Sequence, residues 1–201
     1  MKSLIFQGWG VRAILNGSKT MTRRIIKPQP PCGLSKEVES GLWTYSFSDR
    51  DWKPKFQIGE TIYVRETYWI DPVFKDEPLK GIYYRADPDF YKKDIIKWKS
   101  SMFMPEKYAR IFLKITDIKV ERVQDISMGD CYKDGIPQTY GEAIKIFGNK
   151  ALEGRESHIW DNYTSIENFK WVWIKINGKD SWEQNPFCWA YSFERTPHGN
   201  E

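Results

Sequence analysis

Apolar residues along this chain recur in two rhythms, one of period two and one near 3.6, and the changes between them mark the elements. Leu4-Ile5-Phe6 predicts a short strand. Gly8 to Asn16 predicts a short helix, with Trp9, Ala13 and Ile14 at helical spacing and Leu15 beside them. Asn16-Gly17 ends it, because glycine enters the left-handed region at a helix C-terminus without steric cost. Thr20 to Ile26 then reads as extended, and Pro28 stops it. Thr61 to Trp69 alternates as a strand, and Gly81 to Arg85 gives another. Lys92 to Lys107 reads as mixed loop.

The clearest strand runs from Ala109 to Val123. Ile111, Leu113 and Ile115 share one face, and Ile118 and Val120 resume after a phase slip near Asp117, which predicts a bulge. Ser127 is placed to cap a helix with Asp130 at its third position, and that helix ends at Gly135. Tyr140 to Phe147 and Ile166 to Lys175 read as helices, and Phe187 to Glu194 as a final strand. Strands spread over the whole chain with short helices between them predict an α+β fold, a mixed β-barrel with flanking short helices. The expected organisation is a single domain over 1–195, with an excursion at 28–57, a helical segment at 127–175 and a tail at 196–201. The excursion is inferred from Pro28, Pro30, Pro31 and Gly33 ahead of a polar, aromatic stretch, with a small hairpin expected near Trp43 to Phe47.

Composition changes this picture in one respect. Only 40% of residues are hydrophobic, but ten tryptophans, eleven tyrosines and eleven phenylalanines supply large buried area per side chain, so aromatic rings become the main core material. Trp171, Trp173, Trp182 and Trp189 are assigned to that core or to a helical cap. Net charge is +4, yet Lys2, Arg12, Lys19, Arg23, Arg24, Lys27 and Lys36 precede the first acid, Glu37. A one-signed segment fits a phosphate-bearing partner, the reading its confinement to one segment favours, or a face balanced by acids elsewhere in the fold. Cys32, Cys131 and Cys188 are odd in number and widely spaced, and His158 and His198 lie far from them. Neither a disulfide framework nor a metal site is expected, and no cofactor. No apolar run reaches membrane-helix length and the N-terminus lacks a signal-peptide pattern, so no membrane partner and a cytoplasmic setting are expected.

The stretch from Ile14 to Arg24, Ile-Leu-Asn-Gly-Ser-Lys-Thr-Met-Thr-Arg-Arg, resembles the I-L-x-G-x-K-T-x-T-x-R signature of ASCH domains. Gly59-Glu60 followed by Tyr63-Val64-Arg65-Glu66-Thr67, the segment Lys97 to Pro105, the run Arg110 to Ser127, Ile176 to Lys179 and Trp182 to Phe193 are similar, in order, to larger phage and prophage ASCH-like proteins. The resemblance covers nearly the whole chain outside the Pro28 to Phe56 segment and the tail. It implies a PUA-like β-barrel with a cleft beside the first helix, and RNA or a modified nucleoside as the partner, with DNA also possible.

Some small bacterial ASCH domains hydrolyse the amide of N4-acetylcytidine through a lysine, a threonine and a carboxylate. By motif these positions fall on Lys19, Thr22 and, counted from the Asp-Ile-Ser turn, Asp134, where the small enzymes carry Glu. A threonine hydroxyl attacks only once a base takes its proton, and a lysine serves as that base if burial lowers its pKa. No metal is required. The same residues also read as a plain Lys19–Asp134 salt bridge beside an ordinary strand threonine. In a regular strand, residues three apart point to opposite faces, so Lys19 and Thr22 converge only if the backbone turns near Gly17 to Thr20. Arg23 or Arg24, with Arg12 and Lys27, is placed to clamp a phosphate, or to pair with an acid such as Glu66. Trp9, Tyr68 and Trp69 are candidates to stack a base, or core rings. Glu66 is a second candidate carboxylate, or an ion-pair partner of Arg65 or Arg24. Binding of RNA or DNA without catalysis, a ribonuclease and an accessory protein-binding role stay open beside the amidohydrolase.

Overall fold

The computed structural model describes residues 1–31, 34–36, 43–44, 52–74, 76–87, 96–148, 152 and 157–197. In chain order the first elements are β1 (Ser3–Ile5), α1 (Gly8–Leu15), β2 (Met21–Ile25), β3 (Ser35–Lys36), β4 (Trp43–Thr44) and β5 (Thr61–Arg65). They are followed by β6 (Tyr68–Ile70), β7 (Ile82–Tyr84), β8 (Phe112–Arg122), α2 (Met128–Lys133), α3 (Tyr140–Phe147), α4 (Ser157–Asn162), α5 (Ser165–Asn177) and β9 (Phe187–Thr196). The fold is α+β. Five strands form one mixed sheet in the order β1-β5-β8-β9-β2, with β1 parallel to β5 and the remaining pairs antiparallel.

The longest ladder, β8 with β9, carries the slip expected from the sequence: its register shifts between Ile115 and Asp117. The extra residue lets Leu113 and Ile115 before it, and Ile118 and Val120 after it, enter the same apolar cluster. On β9, Phe187, Trp189, Tyr191 and Phe193 join that cluster while Cys188 joins another on the opposite face. The first cluster fills the concave side of the sheet with Leu4, Val11, Ile14, Ile62 and Val64. The second, on the outer side, is built by α2 to α5 with Val123, Phe147, Trp160, Phe169 and Trp182. Two-sided burial explains why β2 reads as Met21, Thr22 and Arg23 all buried rather than as an amphipathic edge.

A barrel expects β1 and β2, the ends of the strand order, to pair. Among the described residues no ladder joins them, and a side chain spans the gap instead: Arg24 Nη2 donates to the Ile5 carbonyl at 2.7 Å.

Other departures from the sequence reading have physical causes. The single strand expected over Thr61 to Trp69 is two strands in different sheets, broken where Glu66 turns inward to Arg110. The segment read as an excursion returns to the core: Trp52 and Phe56 belong to the concave cluster, and Trp52 Nε1 donates to the Pro28 carbonyl at 3.0 Å. Of the hairpin expected near Trp43 to Phe47, Trp43–Thr44 form β4, whose partner is β3 upstream at Ser35–Lys36; 45–47 and Cys32 lie outside the described residues. Helix α4 lies within the helical segment expected over 127–175, although no separate helix was placed there. The final strand extends to Thr196, and 198–201 of the expected tail lie outside the described residues.

Candidate functional site

Lys19 reaches its position through two turns. Helix α1 ends at Asn16, Gly17 takes φ +82°, and the chain reverses so that Lys19 N donates to Ala13 O at 2.9 Å. Thr20 N then donates to Lys133 O at 2.8 Å, and Lys19 forms an antiparallel bridge with Asp134. Asp134 is the C-cap of α2, whose N-cap is Ser127 accepting from Asp130 N, as the sequence predicts. Gly135 follows at φ +86°, and a Cβ there would lie 3.0 Å from Lys19 Cβ and 3.1 Å from Ala13 Cβ. A glycine is therefore what lets the end of α2 approach Lys19. Because β2 begins only at Met21, Lys19 lies before the strand and escapes its alternation relative to Thr22.

Three buried ionisable side chains meet here. Lys19 Nζ donates to Asp134 Oδ1 at 2.8 Å and to Asp134 O at 2.5 Å. Arg23 Nη1 pairs with Asp134 Oδ2, so the carboxylate is held from both sides. Arg23 also binds Glu121 through Nε at 2.8 Å and through Nη2, and its Nη2 lies 3.6 Å from Asp130 Oδ2. Lys19 is only 4% exposed, Arg23 6% and Asp134 4%. Burial lowers the Lys19 pKa from its ordinary value, Asp134 opposes that, and Arg24 and Arg23 reinforce it. Arg23 loses solvation too, but Asp134 and Glu121 outweigh the loss and hold it charged.

Lys19, Thr22, Arg23, Arg24 and Asp134 line one cavity of about 390 Å³ at the free edge of β2. That volume falls within the range of small-molecule sites, about 300–1,000 Å³. Phe6 and Trp9 form a wall beside α1, their ring centroids 5.9 and 5.4 Å from Lys19 Nζ. The opposite wall is α5, through Phe169, Val172, Trp173 and Ile176. Lys27 is exposed at the margin. Register places Thr22 opposite Tyr191 and Arg23 opposite Ala190, so Thr22 and Arg24 point to the concave side and Arg23 to the helices.

Three predicted site residues lie elsewhere. Arg12 donates to the carbonyls of Ile146 at 2.6 Å, Phe147 at 3.3 Å and Ala86 at 3.3 Å, satisfying the end of α3 and leaving no fork for a phosphate. Glu66 is buried on Arg110, at 2.8 and 2.9 Å, not on Arg65 or Arg24. Burial raises the Glu66 pKa, with Arg110 pulling it back. Tyr68 is buried against Tyr108 and does not line the cavity. The acid-free segment is also not one-signed in space: Lys2 pairs with Glu60, Lys19 with Asp134 and Arg23 with three acids. Arg23, spent on carboxylates, is not a phosphate clamp.

Burial pushes the thiols of Cys131 and Cys188 up to about 12, so both stay protonated near neutrality. Among the described residues no group of three or more His, Cys, Asp or Glu side chains is arranged to hold a metal, and no helix is long and apolar enough to cross a membrane.

The sequence reading missed the α5 wall and the acids Glu121 and Asp130. Phe169, Val172, Trp173 and Ile176 follow the i, i+3, i+4, i+7 spacing that marks a buried helix face, so nothing in the pattern separates a core stripe from a cavity wall. In comparisons with known proteins, no family model, no curated protein and no solved structure matched the chain.

Proposed function

We propose that this chain is an ASCH-type protein whose curled sheet is a PUA-like barrel bridged by Arg24 rather than closed by a ladder. Its cavity takes an N4-acylated cytidine, free or within RNA, and hydrolyses the exocyclic amide. The observation that carries this reading is the bonding of Lys19: Nζ has two acceptors, Asp134 O and Asp134 Oδ1, in a cavity that Thr22 also lines. A neutral amine has two N–H donors and one lone pair. Two acceptors use both donors and leave the lone pair to accept a proton.

The reaction balances with these groups alone. Lys19 takes the Thr22 hydroxyl proton as Thr22 Oγ bonds to the acyl carbon. The C–N bond breaks, and the cytidine amine leaves with the proton returned by Lys19. Water then adds to the threonyl ester, releasing the carboxylic acid and restoring Thr22. Asp134 orients Lys19, and Arg23 anchors Asp134 to Glu121. Burial of the ammonium supports the neutral form the step requires.

Liquid chromatography of the full-length protein with N4-acetylcytidine tests the reading. Cytidine and acetate appear in equal amounts under it. Unchanged substrate with bound nucleoside would leave a binding module, and shortening of labelled RNA in chelator would make the protein a ribonuclease.

A further inference from the structure

Four basic side chains, Lys19, Arg23, Arg24 and Lys27, line the Lys19 cavity against one acidic one, Asp134. Two of the four are balanced where they stand: Lys19 by Asp134, and Arg23 by Asp134, Glu121 and Asp130. Arg24 and Lys27 form no salt bridge among the described residues. A cation drawn out of water without a counter-ion is costly, and an anion entering the cavity relieves that cost.

Arg24 carries the argument. It is half-buried on β2, where loss of solvation lowers its pKa and Asp134 offsets the loss through space rather than by a salt bridge. Its guanidinium is held in place: Nη2 donates to Ile5 O at 2.7 Å, and Cζ lies 5.3 Å from the Phe6 ring centroid. That bond to Ile5 is at the exposed surface, and Ile5 and Phe6 both line the cavity. Nε is sealed in the interior. Nη1 is not: it has no hydrogen bond, yet it is not among the buried atoms that lack one, so it keeps contact with solvent. Arg24 shares a strand face with Thr22, two residues away, so its guanidinium extends from the same side of β2 as the proposed nucleophile. Lys27 follows the end of β2, and its exposed side chain lies at the margin of the same cavity. A fixed guanidinium supplies directed N–H donors and an ammonium on a flexible stem supplies a point charge, a pairing that suits the oxygens of a phosphate ester.

We propose that Arg24 Nη1 and Lys27 Nζ form a phosphate subsite at the rim of the cavity, so that the preferred ligand is a cytidine nucleotide, as a monophosphate or within a strand, and not the bare nucleoside. The assignment rests on the acylcytidine reading and names the part of the ligand that lies outside the reacting amide. Both residues bind the phosphate and move no proton.

The test is isothermal titration calorimetry of the full chain carrying Thr22→Val, which removes the proposed nucleophile. The probes are N4-acetylcytidine, its 5′-monophosphate, its 3′-monophosphate and a cytidine trinucleotide acetylated on the central base. Each is titrated at low and high salt, and again into Thr22→Val/Lys27→Gln and Thr22→Val/Arg24→Gln. The readout is the affinity of each phosphorylated probe relative to the nucleoside. Charge-assisted hydrogen bonds predict a gain of about tenfold or more at low salt, reduced at high salt and reduced at least about threefold in each Gln variant. A gain confined to a monophosphate puts a terminal phosphate in the subsite, and a gain confined to the trinucleotide puts a strand phosphodiester there; either supports the assignment. No gain with any phosphorylated probe overturns it, as does a gain that either folded Gln variant leaves unchanged. Arg24 also bridges β1 and β2, so if Arg24→Gln does not fold, Lys27→Gln, at an exposed position, decides alone. If the nucleoside binds and phosphate adds nothing, the subsite falls and the acylcytidine reading stands. If phosphate adds affinity but the native protein releases no acetate from any probe, hydrolysis falls and the subsite stands. If none of the probes binds, both fall together.

Discussion

Lys19 Nζ is held by both the main-chain oxygen and the carboxylate of Asp134, at 2.5 and 2.8 Å, although the two residues lie 115 positions apart. The pair joins the chain after α1 to the end of α2, and thereby sets one wall of the cavity. It also buries an amine whose protonation state the proposed mechanism depends on.

That variable has a defined sign. Burial lowers the Lys19 pKa below 10.5, so the folded protein releases this proton at lower pH than the unfolded chain does. Between the two pKa values the unfolded chain binds more protons, and stability rises with pH. The contribution is fully present above the unfolded value and lost as pH falls through the folded one. Urea unfolding of the native protein and of Lys19→Met at a series of alkaline pH values measures it, and the expected difference is a smaller rise with pH in the Met variant.

Activity follows the same group. Under the proposed mechanism, in which Lys19 is the base, kcat/KM has an acid limb that rises with pH. Asp134 raises the Lys19 pKa, so Asp134→Asn moves that limb to lower pH while reducing the maximal rate. A limb that stays in place in Asp134→Asn assigns the ionisation to some other group.

Gly135 is predicted to be intolerant of a side chain. Alanine there adopts a left-handed backbone at about 1–2 kcal/mol and presses a methyl against Lys19 Cβ and Ala13 Cβ. For a chain of this length each kcal/mol corresponds to roughly 2–4 °C in melting temperature. Gly135→Ala therefore melts several degrees lower and loses activity, whereas Gly148→Ala, whose added Cβ meets nothing within 4 Å, melts lower without losing activity.

Arg23→Lys tests the anchor behind Asp134. A lysine carries the charge but cannot span Asp134 and Glu121 together, as the planar fork does. Breaking a buried pair of this kind costs about 3–5 kcal/mol. The expected result is a large fall in melting temperature with reduced kcat, and a neutral effect on both would remove Arg23 from the account.

Much of this arrangement was legible in the sequence because its causes are local. The Asn16-Gly17 stop, the Ser127 cap and the slip near Asp117 depend on neighbouring residues, and all three are found. Lys19, Thr22 and Asp134 were named through the family resemblance, and all three line one cavity. What the sequence hid depends on distant partners. Glu66 meets Arg110, just ahead of β8, Arg12 is consumed by the end of α3, and Arg23 finds Glu121 across the sheet. None of these pairings leaves a periodic trace. Trp173, read as core or helical cap, does belong to the helix-side cluster, and its place along the cavity as well was not legible because a cavity wall and a core face share one helical pattern.

The central claim is that Thr22 and Lys19 act as nucleophile and base. The most direct measurement is the rate of cytidine release from N4-acetylcytidine by the native protein, Thr22→Val and Lys19→Met, with thermal unfolding run in parallel. The account predicts turnover in the native protein and a fall of at least about a hundredfold in each variant, with cooperative melting retained. A folded Thr22→Val protein that releases cytidine at the native rate would contradict it.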